Sequence, residues 1–202
     1  MTAESLKQLA LRYRLVLGSG SPRRVRLLGE TGVAFEQIIP DVREDHKPGE
    51  DPYDFAQRVA GEKALWVAEH ADAEAIVLGC DTIVVLGNQL LGKPTDKADA
   101  LRILTSLSGR QHVVCTGVAL TYRGSIAASG YELTKVFFNS VSAQQLEAYI
   151  DSGEPMDKAG AYGIQGMGAF LVDRIEGRLD NVIGLPRLLL DNLAERLLVT
   201  KQ

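Results

Sequence analysis

The chain has 202 residues, 46% hydrophobic and 24% charged, proportions ordinary for a soluble globular protein and enough for one sizeable domain or two closely packed lobes. Its 26 acidic residues outweigh 22 basic ones, and the net charge of −4 argues against a general binder of nucleic acid or membrane surface while leaving room for a local basic pocket. No apolar stretch approaches the roughly 18 to 20 residues of a membrane span, and "MTAESLKQLALRYR" lacks the basic start, apolar stretch and small-residue cleavage site of a signal peptide, so the expected compartment is the cytoplasm.

The first predicted elements lie in "RLVLGSGSPRRVR", where an apolar strand gives way to a Gly-Ser turn and a helix. Pro22 suits the first helical position because its missing N–H is not needed there, and Ser21 before it is a good N-cap whose hydroxyl can accept from an unpaired amide. Arg23 and Arg24 then fall in the first turn, at the positive end of the helix dipole. Either both are simply solvated, or an anion compensates them. A glycine-rich turn at a helix start presents donors to phosphate, and two guanidiniums add charge and a planar fork.

Further along, "VAFEQII" reads as a second strand, and the polar loop "PDVREDHKPGEDP" leads into a helix from about Tyr53 to His70. "AEAIVLGCDTIVVLGNQLL" is β-rich and turns near Gly87-Asn88. Thr95 can cap a helix through "DKADALRILTSL" that stops near Gly109. "HVVCTGVALTY" and "ELTKVFFNSV" look like paired strands around the turn "RGS". Ser142 with Gln145 resembles a capping box opening a helix to Ile150. "GAFLVDRI" suggests another strand, and "LPRLLLDNLAERLL" a C-terminal helix. Alternating strands and helices indicate an α/β fold with a mixed sheet. No repeat or linker divides the chain, so residues 1–202 are read as a single domain.

Four groups of residues can carry chemistry. Asp81 is a carboxylate in an apolar strand, expensive to bury unless paired or bound to a cation. It is either a structural cap or a metal ligand or general base facing a cleft. The run "REDHKPGED" is mostly a solvated loop, but Glu44 is placed to join Asp81 around a hard divalent ion, and Mg2+ needs few carboxylates beside water and phosphate oxygens. Lys63, Lys93 and Lys158 are each unremarkable alone, yet with the arginines they suit a triphosphate; "LLGKPTD" is not a phosphate loop of the GxxxxGK kind. Finally, "DKAGAYGIQGMGAF" is a glycine-rich turn in which the Gln165 amide can meet a base edge. Cys80 and Cys115 lie far apart in apolar runs and read as buried thiols. His46, His70 and His112 are scattered, and none is assigned to a metal.

In this order the pieces "SGSPRR", "EKA", "GCDTIVV", "LGKPTD", "LSGRQHVVCTGVAL", "EPMDKAGAYGIQG" and "IGLP" resemble the Maf family of nucleoside triphosphate pyrophosphatases, most of all its dTTP/UTP branch, over nearly the whole chain. The resemblance implies a bent mixed sheet flanked by helices in two lobes with a nucleotide cleft between them, as in Maf and ITPase-like folds. It makes Asp81 the proton acceptor or metal-linked catalytic carboxylate. Arg23, Thr82 and Gln165 match positions associated with substrate selectivity, and Ser21, Arg24, Glu44, Lys63 and Lys93 match the polar lining of the cleft. Lys158 joins the substrate-binding set, and Glu44 with Asp81 the metal set. The expected cofactor is Mg2+ or Mn2+, and the expected partner a nucleoside triphosphate, with no nucleic acid polymer and no membrane; a homodimer is the family expectation. The expected reaction is hydrolysis of dTTP or UTP to the monophosphate and pyrophosphate, clearing excess or non-standard nucleotides. Alternatives are a pyrophosphatase of modified nucleotides such as methylated GTP, and a nucleotide-binding regulator of cell division with residual catalysis. Cys80, where many relatives have alanine, and Asp180-Asn181 depart from the pattern.

Overall fold

A computed structural model of the chain describes residues 3–199. Helix α1 (Glu4–Arg12), not anticipated from the sequence, precedes strand β1 (Leu15–Gly18) and helix α2 (Pro22–Gly29). Pro22 does open α2, but Ser21 makes no side-chain capping bond. The turn is instead gathered on Ser19, whose hydroxyl accepts from the Ser21 amide at 3.2 Å. Strand β2 (Glu36–Ile38) is shorter than "VAFEQII". Helix α3 (Pro52–Ala68) follows, started by Asp51, whose carboxylate accepts from the Tyr53 and Asp54 amides.

Strand β3 (Ile76–Leu86) turns back into β4 (Gln89–Leu91) as expected. Helix α4 (Lys97–Leu107) is capped by Asp96, not Thr95, because the Asp96 carboxylate reaches the Asp99 amide at 2.8 Å. Thr95 donates its own amide to Asp99. Strands β5 (Gln111–Tyr122) and β6 (Ser125–Phe138) meet at Arg123-Gly124, both with positive φ, the backbone twist that tight hairpins favour. That turn starts β6 well ahead of the expected Glu132. The Ser142–Gln145 capping box opens helix α5 (Ala143–Asp151) as predicted. The first part of "GAFLVDRI" is a 3-10 turn (Met167–Leu171), and strand β7 is only Val172–Glu176. A short helix α6 (Leu179–Ile183) then precedes α7 (Arg187–Val199).

The strands form one mixed sheet of order β2-β1-β3-β5-β6-β7, with β4 paired to β3. β1 lies parallel to β2 and β3, while β3–β4 and β6–β7 are antiparallel. The chain divides into two compact units. One comprises the chain to Asp81, Thr116–Glu132 and the chain from Gly184; the other comprises Thr82–Cys115 and Leu133–Ile183.

In the first unit, α3 lies on β1, β3 and β5 through Val16, Ala60, Ala64, Val67, Val77 and Ala119. Small residues let the helix come down onto the strands. A Cβ at Gly79 would meet the Ala60 carbonyl oxygen at 2.1 Å, and one at Gly117 the Ala56 oxygen at 2.3 Å, so only glycine fits at either place. This close approach delivers Lys63 of α3 to β3 at Asp81.

The second unit packs α4 and α5 around Val84, Leu104, Leu107, Val136, Leu146 and Tyr162. Within it His112, Phe138 and Tyr162 stack edge to face. His112 Nε2 lies 2.8 Å from the Tyr162 hydroxyl, and burial pushes the imidazole pKa down to about 4. The departures at Asp180 and Asn181 are structural here. Arg178 grips Asp180 through Nε and one Nη of its guanidinium, and the Asn181 amide donates to the Val114 carbonyl and the Thr134 hydroxyl.

Candidate functional site

Asp81 ends the first unit's share of β3 and is 4% exposed. A lone carboxylate could not remain charged there at tolerable cost, and a cation answers it. Lys63 Nζ lies 2.7 Å from Asp81 Oδ1 and 2.7 Å from Glu44 Oε1. Lys63 is itself buried, while Glu44 reaches in from an exposed loop. The sequence ranked three lysines alike; the fold singles out this one.

The loop that carries Glu44, expected to be mostly solvated, is anchored to α3. Arg58 of α3 meets Glu50 through Nε and one Nη of its guanidinium, at 2.6 and 2.8 Å, and also donates to Glu62 and to the Asp45 carbonyl. The Arg58 hydrogen bond, opposed by burial, brings the Glu50 pKa from 4.5 down to about 2. The Arg58–Glu62 pair, one helical turn apart, was the available signal.

Arg24, in the first turn of α2, is held by its fork. Nε donates to the Gly184 carbonyl at 2.8 Å and an Nη to the Ser19 hydroxyl at 3.1 Å. The Ser19 carbonyl in turn accepts from Gln37 at 2.7 Å. Ser19 is buried and organises the turn, a role expected of Ser21. Ser21 and Arg23 stand beside it, half-buried. Burial raises the Cys80 thiol pKa to about 11, with Arg24 and Lys63 acting to lower it and Asp81 to raise it. Arg24, Lys63 and Asp81 therefore share one electrostatic neighbourhood around Cys80.

The second unit carries the remaining expected residues. Thr82 follows Asp81 in β3 and is half-buried, and Lys93 is exposed just after β4. Lys158 donates to the Glu154 carbonyl at 2.5 Å and pairs with Asp157 at 2.6 Å, so its ammonium braces its own loop. The Gly160 amide donates to the Gly92 carbonyl at 3.0 Å, which makes that loop the neighbour of the one bearing Lys93. Gln165 stands exposed between two 3-10 turns (Ala159–Ala161 and Met167–Leu171).

Among the described residues no group of three or more His, Cys, Asp or Glu is placed to hold a metal, and both cysteines are buried free thiols. What the first unit offers is two carboxylates already turned toward one cation, the Lys63 ammonium. That donor set fits a hard ion that keeps most of its ligands as water and phosphate oxygen, and not one that needs sulfur or imidazole. No helix of the described residues is long and apolar enough to cross a membrane.

Residues 14–197 match the Maf family, described as Maf-like protein. A protein of Vibrio cholerae serotype O1 named dTTP/UTP pyrophosphatase is 50% identical over 183 residues, which cover 91% of this chain and 97% of its own. Relatives of the same name from Geobacter sulfurreducens and Desulfitobacterium hafniense are each 46% identical, over 86% and 92% of this chain and 91% and 84% of theirs. With a family match that takes in every residue of the Asp81 cluster and the Gln165 loop, this chain belongs to the Maf family.

Proposed function

We propose that this chain hydrolyses dTTP and UTP to the nucleoside monophosphate and pyrophosphate. The observation that carries the reading is the buried Asp81 carboxylate paired with Lys63 and Glu44, in one unit with the helix start that holds Arg24. The name shared by relatives at 46–50% identity supports the substrate.

In this reading a water oxygen attacks the α-phosphorus, the bond from that phosphorus to the bridging oxygen breaks, and pyrophosphate leaves with the bond's electrons. Asp81 accepts the water's proton. Such chemistry depends on positioning and on neutralising phosphate charge. Arg24 is suited to that because its guanidinium is already fixed, so little ordering is required when phosphate arrives. Arg23, Ser21, Lys63, Thr82, Lys93 and Lys158 complete the proposed substrate set. Glu44 and Asp81 would hold Mg2+ or Mn2+, which would neutralise phosphate charge and acidify a bound water. The Gln165 carboxamide, with one donor edge and one acceptor edge, matches the O4 and N3–H of uracil or thymine. The expectation of a cytoplasmic homodimer accompanies this reading, and light scattering of the purified protein checks its stoichiometry.

The test is multiple-turnover pyrophosphate release from UTP, dTTP, CTP, ATP, GTP and a methylated GTP, with Mg2+ or Mn2+ and again after chelation. The expected result is divalent-dependent turnover led by UTP and dTTP. Best activity on the methylated nucleotide would overturn the substrate, full activity after chelation would overturn the metal, and no turnover on any would overturn the enzyme.

A further inference from the structure

The loop that displays Gln165 is closed from below by two side chains that the mechanism above does not use. Tyr149 of α5 is 2% exposed; its hydroxyl donates to Glu154 Oε1 at 2.9 Å and accepts from the Gly163 amide at 3.0 Å. Glu154 Oε1 also accepts from the Gly168 amide at 3.1 Å, and Oε2 from the Met167 amide at 2.9 Å. Every one of these contacts brings a hydrogen to the carboxylate, so only its ionised form satisfies them all. Burial alone would raise the Glu154 pKa, but the Met167 amide, the Tyr149 hydroxyl, the Gly168 amide and Lys158 hold it below the usual carboxylate value. The closure is tight: a Cβ at Gly168 would meet the Gly163 carbonyl oxygen at 2.5 Å and the Tyr149 hydroxyl at 2.6 Å. Both ends of the loop are thus drawn to one hydroxyl and one carboxylate, with Gln165 at the exposed apex.

We propose that Glu154 and Tyr149 form a clamp that positions Gln165 and so sets base selectivity; the inference rests on the reading of Gln165 given above. A primary amide presents a donor and an acceptor that exchange places when it flips, so it distinguishes uracil from cytosine only if its backbone is held. Glu154 spends its carboxylate on the loop's own backbone and on Tyr149, and in this proposal it acts through Gln165 as a positioning residue. Had it served the loop's stability alone, its removal would weaken hydrolysis of every nucleotide by one common factor.

Glu154→Gln keeps the shape but turns an N–H toward an N–H, and Tyr149→Phe removes only the hydroxyl, which keeps the test available if the first variant folds poorly. Amide hydrogen exchange of the peptide over residues 163–168 is compared with kcat/KM for UTP and CTP in wild type, both variants, Gln165→Ala, and the Glu154→Gln/Gln165→Ala pair. The expected result is faster exchange in the loop and a fall of about tenfold in the UTP:CTP ratio, the scale of one mispaired hydrogen bond. The paired variant should be no less selective than Gln165→Ala alone, because both changes act through one side chain. Unchanged exchange overturns the clamp, whatever the enzyme hydrolyses. Faster exchange with an unchanged ratio, or with additive losses of selectivity in the paired variant, overturns the selectivity role. A wild type that hydrolyses neither nucleotide overturns the pyrophosphatase reading and the selectivity role with it, while exchange still decides the clamp.

Discussion

Asp81 and Lys63 are both below a tenth exposed, and charges so placed are tolerable only as a pair. Asp81→Asn keeps the side chain's size and removes the proton acceptor. Turnover should fall by about 10² to 10⁴-fold, the usual loss for an acid–base group. Near-normal kcat in the folded, metal-saturated variant would take Asp81 out of the chemistry. At Arg24 the geometry sharpens the expectation. Its Nε and Nη bonds use two directions of a planar fork that an ammonium lacks, so Arg24→Lys should not restore what Arg24→Ala loses, about 2 to 4 kcal/mol in kcat/KM. Removing a cation from the positive end of α2 favours the variant slightly, but the lost bonds to Gly184 and Ser19 outweigh it, and the melting temperature should drop. Equal kcat/KM for wild type and lysine variant would contradict this account. Asp81 was legible in the sequence because a carboxylate in an apolar strand needs a reason. Lys63 was not separable from Lys93 and Lys158, since only the descent of α3 onto β3 gives it two carboxylate partners.

That descent belongs to the element scale, and Gly79 controls it. In Gly79→Ala the new methyl would stand 2.1 Å from the Ala60 carbonyl oxygen, so α3 must lift from β3. Overpacking of this kind costs about 1 to 3 kcal/mol, measurable by denaturant titration. The same shift draws Lys63 from Asp81, so kcat should fall although no catalytic group has changed. A variant as stable and active as wild type would show that the close approach is not needed. The order of strands and helices, α1 and α6 excepted, was legible from apolar periodicity, and the Ser142–Gln145 box from its spacing. The cap at Asp96 and the early start of β6 were not. Both depend on the path of a turn, and neighbouring polar residues compete for that path on nearly equal terms.

At the scale of the whole molecule, each unit holds a group that makes the fold acid-sensitive. His112 is brought from 6.5 to about 4 by burial, so between those values the unfolded chain binds a proton that the folded chain refuses, and stability falls as pH drops. Glu50, lowered from 4.5 to about 2 chiefly by Arg58, contributes stability that is complete above 4.5 and lost as pH falls toward 2. Calorimetry across this range should show a melting temperature that declines in both windows, with Glu50→Gln flattening the lower one. A melting temperature independent of pH would contradict both assignments. The α/β class and the mixed sheet were legible because strand and helix periods alternate along the chain. The companions of the site, Ser19, Arg58 and the Glu154–Tyr149 pair, were not, because their bonds run to backbone groups or across turns and loops whose path local pattern does not specify.

The central claim is that this chain directs water to the α-phosphorus of UTP and dTTP. Hydrolysis of UTP in ¹⁸O-labelled water, with products resolved by mass spectrometry, tests it most directly. The account predicts label in the monophosphate, equimolar unlabelled pyrophosphate, and loss of both products in Asp81→Asn. Label in pyrophosphate, or release of orthophosphate and a nucleoside diphosphate, would contradict it.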